Sequence, residues 1–287
     1  LKLTVFTPTY NREKLLPRVY ESLCAQTDRD FQWLIVDDGS TDGTEKLVNR
    51  WINDGLLSIR YYKQKNGGKM RAHNTGVRLT ETELFVCLDS DDSFTSTAVS
   101  DILMKWSEVA DKRDCGGIVA HKGADEEHTL YDAVMPDISF STLQGLYRQG
   151  FKGETTLVFK TELLKRHLFP EIPGEKYVPE DVVYDEIDRE CVLAVLPKIL
   201  TVCELVESGL TDRVAALREE NPTGWYLYYV NRSKNTPWSP LKVKYISHYL
   251  RFRGVANREV RDREFLPAGL ALLGVPGALA LIFAGKR

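Results

Sequence analysis

The sequence predicts an α/β domain of Rossmann-like kind, a mainly parallel sheet flanked by helices, and three observations carry that prediction. Short apolar runs alternate with stretches of helical period through the first third of the chain. Polar clusters follow three of those runs directly, at the strand ends where open α/β sheets present residues to ligands. Of the 287 residues 43% are hydrophobic and 10% aromatic, enough to bury one large core, or one core and a small appendage.

Taken in order, Leu3 to Phe6 reads as the first strand. Leu15, Leu16, Val19, Tyr20, Leu23 and Cys24 recur at helical spacing, so residues 13–25 are predicted to form an amphipathic helix packed on the sheet. Trp33 to Val36 is a second buried strand, ended by Asp37-Asp38-Gly39-Ser40. Leu47, Val48, Trp51 and Ile52 mark the next helix, Leu57 to Tyr62 the third strand, and Met70 to Leu79 a third helix after the Asn66-Gly67-Gly68 turn. Leu84 to Leu88 is the fourth strand and runs straight into Asp89-Ser90-Asp91-Asp92. Beyond residue 110 the pattern loosens, with strands expected at Gly117 to Ala120 and Thr155 to Phe159. No repeat or low-complexity linker intervenes, so residues 1–230 are expected to form one domain and 231–287 a tail.

Charge separates these two parts. The net charge of -3 conceals a balance of +7 from Asn231 to Arg263 and of about -11 over residues 1–230. The five cysteines are scattered, without C-x-x-C spacing, and read as reduced thiols in a cytosolic compartment. The five histidines form no H-E-x-x-H arrangement, which argues against a dedicated zinc site. The opening residues do not read as a cleavable signal peptide.

Asp89-Ser90-Asp91-Asp92 is the strongest chemical signal, because three carboxylates within four residues repel one another unless something positive compensates them. Magnesium or manganese would do so, taking carboxylate oxygens and keeping positions open for phosphates. The same residues also suit a solvated helix N-cap. The cluster Val36 to Thr44 is compatible with an ordinary turn and cap as well. Thr7 to Arg12 offers the Tyr10 ring for stacking, although an exposed loop tyrosine needs no ligand to explain it.

Four stretches taken together change the weight of each. Thr7 to Arg12, with P-T-Y-N-R, Val36 to Thr44 (V-D-D-G-S-T-D-G-T), Gly67 to Gly76 (G-G-K-x-x-A-x-N-x-G) and the D-x-D element Asp89 to Asp91 resemble the inverting glycosyltransferases of GT-A family 2 in residue type, order and spacing. The resemblance covers roughly the first hundred residues. It implies a GT-A fold and a nucleotide-sugar donor, UDP favoured, with Pro8, Tyr10 and Asp38 around the base and ribose and Thr9 and Arg12 also binding the nucleotide sugar. Asp89 and Ser90 would face the donor, and Asp91 or Asp92 would bind a divalent cation, Mn2+ or Mg2+. Lys69 and Arg71, at a helix start after a glycine turn, could meet the diphosphate; a solvated basic face is the other reading. Asp37 and Asn74, and in part Pro8, are read as architectural.

An inverting transferase needs a base for the acceptor hydroxyl. The resemblance places it in a Glu-Asp pair in the second half of the domain, and Val178-Pro179-Glu180-Asp181-Val182 matches that element, with Asp181 ranked first and Glu180 second. Glu154 and Asp185 are further acidic candidates.

Phe265 to Ala284 carries no charge and is long enough to cross a bilayer, though Pro267 and Pro276 equally suit a bent or re-entrant hairpin, and a buried core helix is the soluble alternative. Lys242, Lys244, Tyr245, Tyr249, Leu250, Arg251, Phe252 and Arg253 mix cations with apolar residues as an interfacial helix would. The expectation is a basic amphipathic and hydrophobic membrane-associating tail on the cytoplasmic face, a lipid-linked saccharide acceptor, and no nucleic-acid partner. Two other functions fit parts of the pattern. A non-catalytic nucleotide-sugar-binding or scaffolding protein would keep the fold and lose turnover. A nucleotidyltransferase would want a glycine-rich loop after the first strand, and Thr7 to Arg12 has no glycine.

Overall fold

Every residue of β1 (Leu3–Thr9) is buried, as a central strand covered on both faces requires. β2 (Phe31–Asp37), β3 (Ile59–Lys63) and β4 (Leu84–Cys87) extend the sheet from it in parallel pairings. The connections are α1 (Leu16–Cys24), α2 (Thr44–Asp54) and α3 (Lys69–Leu79). These are the seven elements expected from the first ninety residues, in the expected order. The computed structural model describes residues 1–203 and 214–277. They divide into two compact units, Leu1–Leu168 with Ile187–Val206 and Phe169–Glu186 with Glu207–Arg287.

The first unit is completed by β5 (Ser93–Phe94), α4 (Ala98–Val109), β6 (Cys115–Gly123), β7 (Phe140–Ser141), α5 (Leu143–Arg148), β8 (Thr155–Lys160), α6 (Thr161–Arg166) and β9 (Val192–Val202). Strand order is β3-β2-β1-β4-β8-β6-β9-β5, with β7 also on β9. β8 runs antiparallel to both β4 and β6, and β5 and β7 run antiparallel to β9. The sheet is therefore mixed, parallel across β1 to β4 and largely antiparallel beyond. The expectation of a mainly parallel sheet holds only for the half whose strands alternate with long helices. An apolar run reports burial but not strand direction, so the second half was not legible from its pattern.

Side chains on one sheet face, Leu3, Val5, Trp33, Ile35, Leu84 and Val86, form a single cluster with residues of α1, α2 and α4 such as Leu16, Val48 and Ile102. Tyr20 and Trp51 stack there at 4.3 Å and 4°, and the buried Trp33 indole N–H donates to Thr7 Oγ1 at 2.9 Å. On the other face Phe6 stacks on Phe85 at 5.2 Å and meets His73 of α3 edge-on at 5.6 Å. Gly76 allows this approach, because a Cβ there would lie 2.4 Å from the Phe6 ring. Gly117 of β6 is similarly confined, its Cβ position 1.9 Å from the Val158 carbonyl oxygen, which explains a glycine in the interior of a buried strand.

The second unit is helical: α7 (Asp181–Ile187, its last residue grouped with the first unit), α8 (Val214–Glu220), α9 (Pro222–Asn235), α10 (Pro240–Arg253), α11 (Arg258–Arg263) and α12 (Ala268–Leu272). The boundary expected at residue 230 falls inside α9. Glu175 caps α9, accepting from the Thr223 N–H at 2.9 Å and the Gly224 N–H at 2.9 Å, and Asn221 Oδ1 accepts from the Lys176 and Tyr177 N–H groups. α9 packs on α10 through Tyr226 against Tyr249 and Tyr229 against His248. Tyr249 and Phe252, expected on a lipid-facing surface, are buried in this packing. Among the described residues no helix is long and apolar enough to cross a membrane. The apolar run Phe265 to Ala284 contributes the short α12 and is described only as far as Gly277; the rest lies outside the described residues. All five cysteines are free thiols.

Candidate functional site

The loops at the ends of β1 and β2 are built by their own polar residues. Asp38 N–H donates to the Thr9 carbonyl at 2.8 Å, which continues the β1–β2 pairing past Asp37. Asp37 accepts from Ser40 N–H at 2.6 Å and from the Tyr61 hydroxyl at 2.5 Å. Burial first and Asp37 second push the Tyr61 phenol well above its ordinary range. Asn11, at φ 54°, reaches across to accept from Thr41 N–H at 2.8 Å, while its own N–H donates to Ser40 Oγ at 2.8 Å. Pro8 and Thr9 are buried beneath this crossing, Arg12 is half-buried, and the Tyr10 side chain is 46% exposed at the surface.

Asp38 is buried and fully committed. One carboxylate oxygen accepts from Gln64 Nε2 at 2.7 Å and Gly67 N–H at 2.8 Å; the other accepts from Asn66 Nδ2 at 3.0 Å and Gly68 N–H at 2.7 Å. Four donors fill the acceptor capacity of a carboxylate. Asp38, expected beside the base and ribose, also organises the 64–68 loop, with Gly68 at φ 96° supplying the conformation that side chains avoid. The loop delivers Lys69 at the start of α3. Arg71 turns back onto the loop, donating to the Gly67 carbonyl at 2.7 Å.

Lys69 Nζ lies 2.9 Å from Asp89 Oδ1 and 3.0 Å from Oδ2. Lys122, near the end of β6, lies 3.0 Å from Asp92 Oδ2, with only 18% and 8% of the two side chains exposed. Burial raises the Asp89 carboxyl, but Lys69 and then Lys122 outweigh it and hold the group down at about 2. Asp92 goes the other way: burial raises it, and Lys122 only partly offsets that. Lys122 is itself driven above its ordinary range, since Asp92 and Asp89 exceed the effect of burial. Ser90 is buried between them in sequence. The compensating charge for the acidic cluster therefore comes first from two lysines, not solely from a metal ion as the sequence suggested. Lys122 sits thirty residues beyond Asp92, so local charge counting could not find it. Its position just past the apolar run Gly117 to Ala120 was the available signal.

One carboxylate is left over. Among the described residues Asp91 makes no hydrogen bond or ion pair, and it is half-exposed. Among the same residues no three His, Cys, Asp or Glu side chains converge to hold a metal ion. That donor set does not suit an all-protein cage. It does fit Mg2+ or Mn2+, which commonly take one or two carboxylates and complete their shell with phosphate oxygens and water.

In the second unit, Asp181 opens α7 and its Oδ1 lies 2.5 Å from Arg232 Nη2 of α9. Arg232 Nη1 is also 3.2 Å from Asp185, which is 3% exposed. Burial lowers the Arg232 guanidinium, yet Asp181 and Asp185 together raise it further, so the charge is secured. Glu180 precedes the helix, its carbonyl accepting from the Val183 and Tyr184 N–H groups. Arg232 was also missed from sequence, where it read only as one of nine tail cations.

Comparison with known proteins adds to this geometry. Residues 4–172 match the family model described as Glycosyl transferase family 2. A GalNAc(5)-diNAcBac-PP-undecaprenol β-1,3-glucosyltransferase of Campylobacter jejuni is 29% identical over 175 residues, 59% of this chain and 55% of that protein. A teichoic acid poly(glycerol phosphate) polymerase of Staphylococcus epidermidis is 36% identical over 107 residues, 37% of this chain and 15% of its own length. The chain thus matches only part of the length of these relatives. Among solved structures, Staphylococcus aureus TarS in complex with UDP-GlcNAc superposes with a TM-score of 0.64 at 20% identity, covering 89% of this chain and 74% of that one. The mannosyltransferase PcManGT of Pyrobaculum calidifontis, in complex with GDP-Man and Mn2+, gives 0.56 at 21% identity, covering 98% and 80%. At these identities the structural likeness speaks for the fold.

Proposed function

The chain belongs to glycosyl transferase family 2, and from that premise we propose that it moves a single sugar, with inversion, from a UDP-sugar to a lipid-linked saccharide acceptor. The observation that carries the reading is the pairing of Asp89 with Lys69 and of Asp92 with Lys122, which leaves Asp91 alone available at a strand end. In this reading Asp91 holds the divalent cation, which when bound supplies positive charge to the leaving diphosphate. Asp92 is the weaker ligand candidate, since Lys122 occupies it. Lys69, fixed by Asp89, borders the diphosphate, and the exposed Tyr10 ring stacks on the base. Asp181 accepts the proton of the acceptor hydroxyl as its oxygen bonds to the anomeric carbon. The bond from that carbon to the nucleotide diphosphate breaks on the opposite side. Arg232 fixes the orientation of Asp181.

The name of one relative supports the acceptor class, a glucosyltransferase of an undecaprenol-linked saccharide, and another is named as a teichoic acid poly(glycerol phosphate) polymerase. The UDP-GlcNAc complex of the TarS neighbour supports UDP, and the Mn2+ complex of the mannosyltransferase neighbour supports the cation. The same names support a role in surface-polysaccharide or glycolipid assembly.

Calorimetry against UDP, GDP and dTDP, each with manganese and with EDTA, tests the donor site without an acceptor. UDP is expected to bind more tightly with manganese, and Asp91→Ala to lose that increment while keeping the affinity measured in EDTA. Equal manganese dependence in the variant would remove Asp91 from its role. Binding without any turnover, donor hydrolysis included, would favour the scaffolding alternative.

The tail completes the proposal as a contact with the cytoplasmic face of a membrane. Phe265, Leu272 and Leu273 leave 54%, 69% and 47% of their surface exposed, beside the cations of α10 and α11. Such a combination suits an interfacial seat on anionic lipid. Deleting residues 265–287 is expected to release the protein from phosphatidylglycerol vesicles in a flotation assay; undiminished flotation would discard the tail as the anchor.

A further inference from the structure

The charged groups that act on His248 within the α9–α10 aromatic stack, Arg218, Arg251 and Lys244, are of one sign. The Arg218 guanidinium of α8 lies 4.5 Å from the Trp225 ring centre. Trp225 is 6.1 Å from Tyr229, and Tyr229 stacks on His248 of α10 at 4.8 Å and 12°. Arg251 lies 5.2 Å from the Phe252 ring, which also stacks on Tyr229, at 5.5 Å. Burial pushes the His248 imidazole down to about 4, and Arg218, Arg251 and Lys244 are near enough to push it the same way.

Among the described residues nothing answers these charges. Among the described residues no carboxylate pairs with Arg218, Lys244 or Arg251. Three buried nitrogens there also lack a hydrogen-bond partner: Arg218 Nε, Trp225 Nε1 and His248 Nδ1. Trp225 and His248 are 8% and 9% exposed, while Lys244 is open to solvent and Arg218 and Arg251 half-open. Two aromatic members of the cluster are thus buried, while its three cations reach solvent. Buried polar groups in native structures are ordinarily satisfied, and a set made of donors and cations is completed by an anion with several oxygens. A neutral sugar is the poorer match, since its hydroxyls also need strong acceptors. A carboxylate has only two oxygens to offer nitrogens on three helices.

We propose that this cluster is a phosphate-ester site, in which phosphoryl oxygens accept from Arg218, Trp225 and His248, with Lys244 and Arg251 at the rim. The phosphate could belong to a soluble ester or to a lipid headgroup; the chemistry recognised is the same. The site is independent of the donor assignment, because none of its residues was given a part in that reaction.

The test uses the full chain in EDTA, with glycerol 1-phosphate as the soluble probe and vesicles of phosphatidylglycerol or phosphatidylcholine as the lipid probe. Glycerol 1-phosphate is expected to move the His248 C2–H resonance and raise its midpoint, as a neighbouring anion favours imidazolium. The signal is assigned by its loss in His248→Gln. The double variant Arg218→Gln, Arg251→Gln is expected to weaken binding by about tenfold or more, with an unchanged circular dichroism spectrum. Binding confined to phosphatidylglycerol vesicles and lost in the double variant would identify the ester as a lipid headgroup. If neither probe distinguishes the variants from the parent, or the His248 signal stays still with both, the proposal is overturned. UDP binding with manganese, measured on the same variants, is expected to be unchanged, so failure of the donor reading would show there and not here.

Discussion

Asp181→Asn is expected to bind UDP with manganese as tightly as the parent and to transfer sugar about 10²- to 10⁴-fold more slowly, the range that a positioned general base contributes. The substitution is nearly isosteric, and the amide oxygen can still accept from Arg232 across the present 2.5 Å contact. Local geometry should therefore survive while the proton acceptor is removed. Binding and catalysis part company in this variant, which a folding defect would not produce. Single-turnover transfer assays beside calorimetry check it. Glu180→Gln serves as the comparison, since Glu180 is ranked second for the same role; a large loss there with near-normal Asp181→Asn would exchange the two assignments.

Lys122→Met should destabilise the protein by about 3–5 kcal/mol, the usual consequence of removing one partner from a buried ion pair. Asp92 has 8% of its side chain exposed and keeps no other cation at that distance among the described residues. Urea unfolding in EDTA measures the loss without interference from metal binding. The pH dependence supplies the sign. Burial already raises the Asp92 carboxyl, and without Lys122 it rises further above its unfolded value of about 3.9. A group whose folded pKa exceeds its unfolded one favours the folded state at low pH, and that advantage is lost as pH climbs through the folded value. The deficit of Lys122→Met relative to the parent should accordingly be small near pH 4 and grow towards pH 7. A deficit independent of pH would mean that the methionine is merely misfitted.

The two variants mark the limits of what could be read from residues alone. Asp181 is a candidate base through a resemblance alone, because two adjacent carboxylates in a loop have no distinguishing spacing of their own. Lys122 was not identified at all. Its partner lies thirty positions earlier, and the sheet brings the two together because β5, which follows Asp92, pairs with β9, and β9 lies beside β6. Asp38 shows the converse. Its presence at a strand end was plain, yet its four donors come from residues 64–68, and only the folded loop shows that it acts as a scaffold for the turn.

The sequence by itself determined the α/β class, the order of the first seven elements, the three polar clusters at strand ends and the family they resemble. These depend on periodicity and on short spacings, which survive in one dimension. The tertiary structure alone decided the antiparallel course of β8, the burial of Tyr249 and Phe252 within the helical unit, and the division of labour in the acidic cluster. Asp89 and Asp92 are answered by lysines and Asp91 is not. Strand direction and charge pairing are set by which distant segments meet, and a chain's local pattern is the same whichever neighbours it acquires.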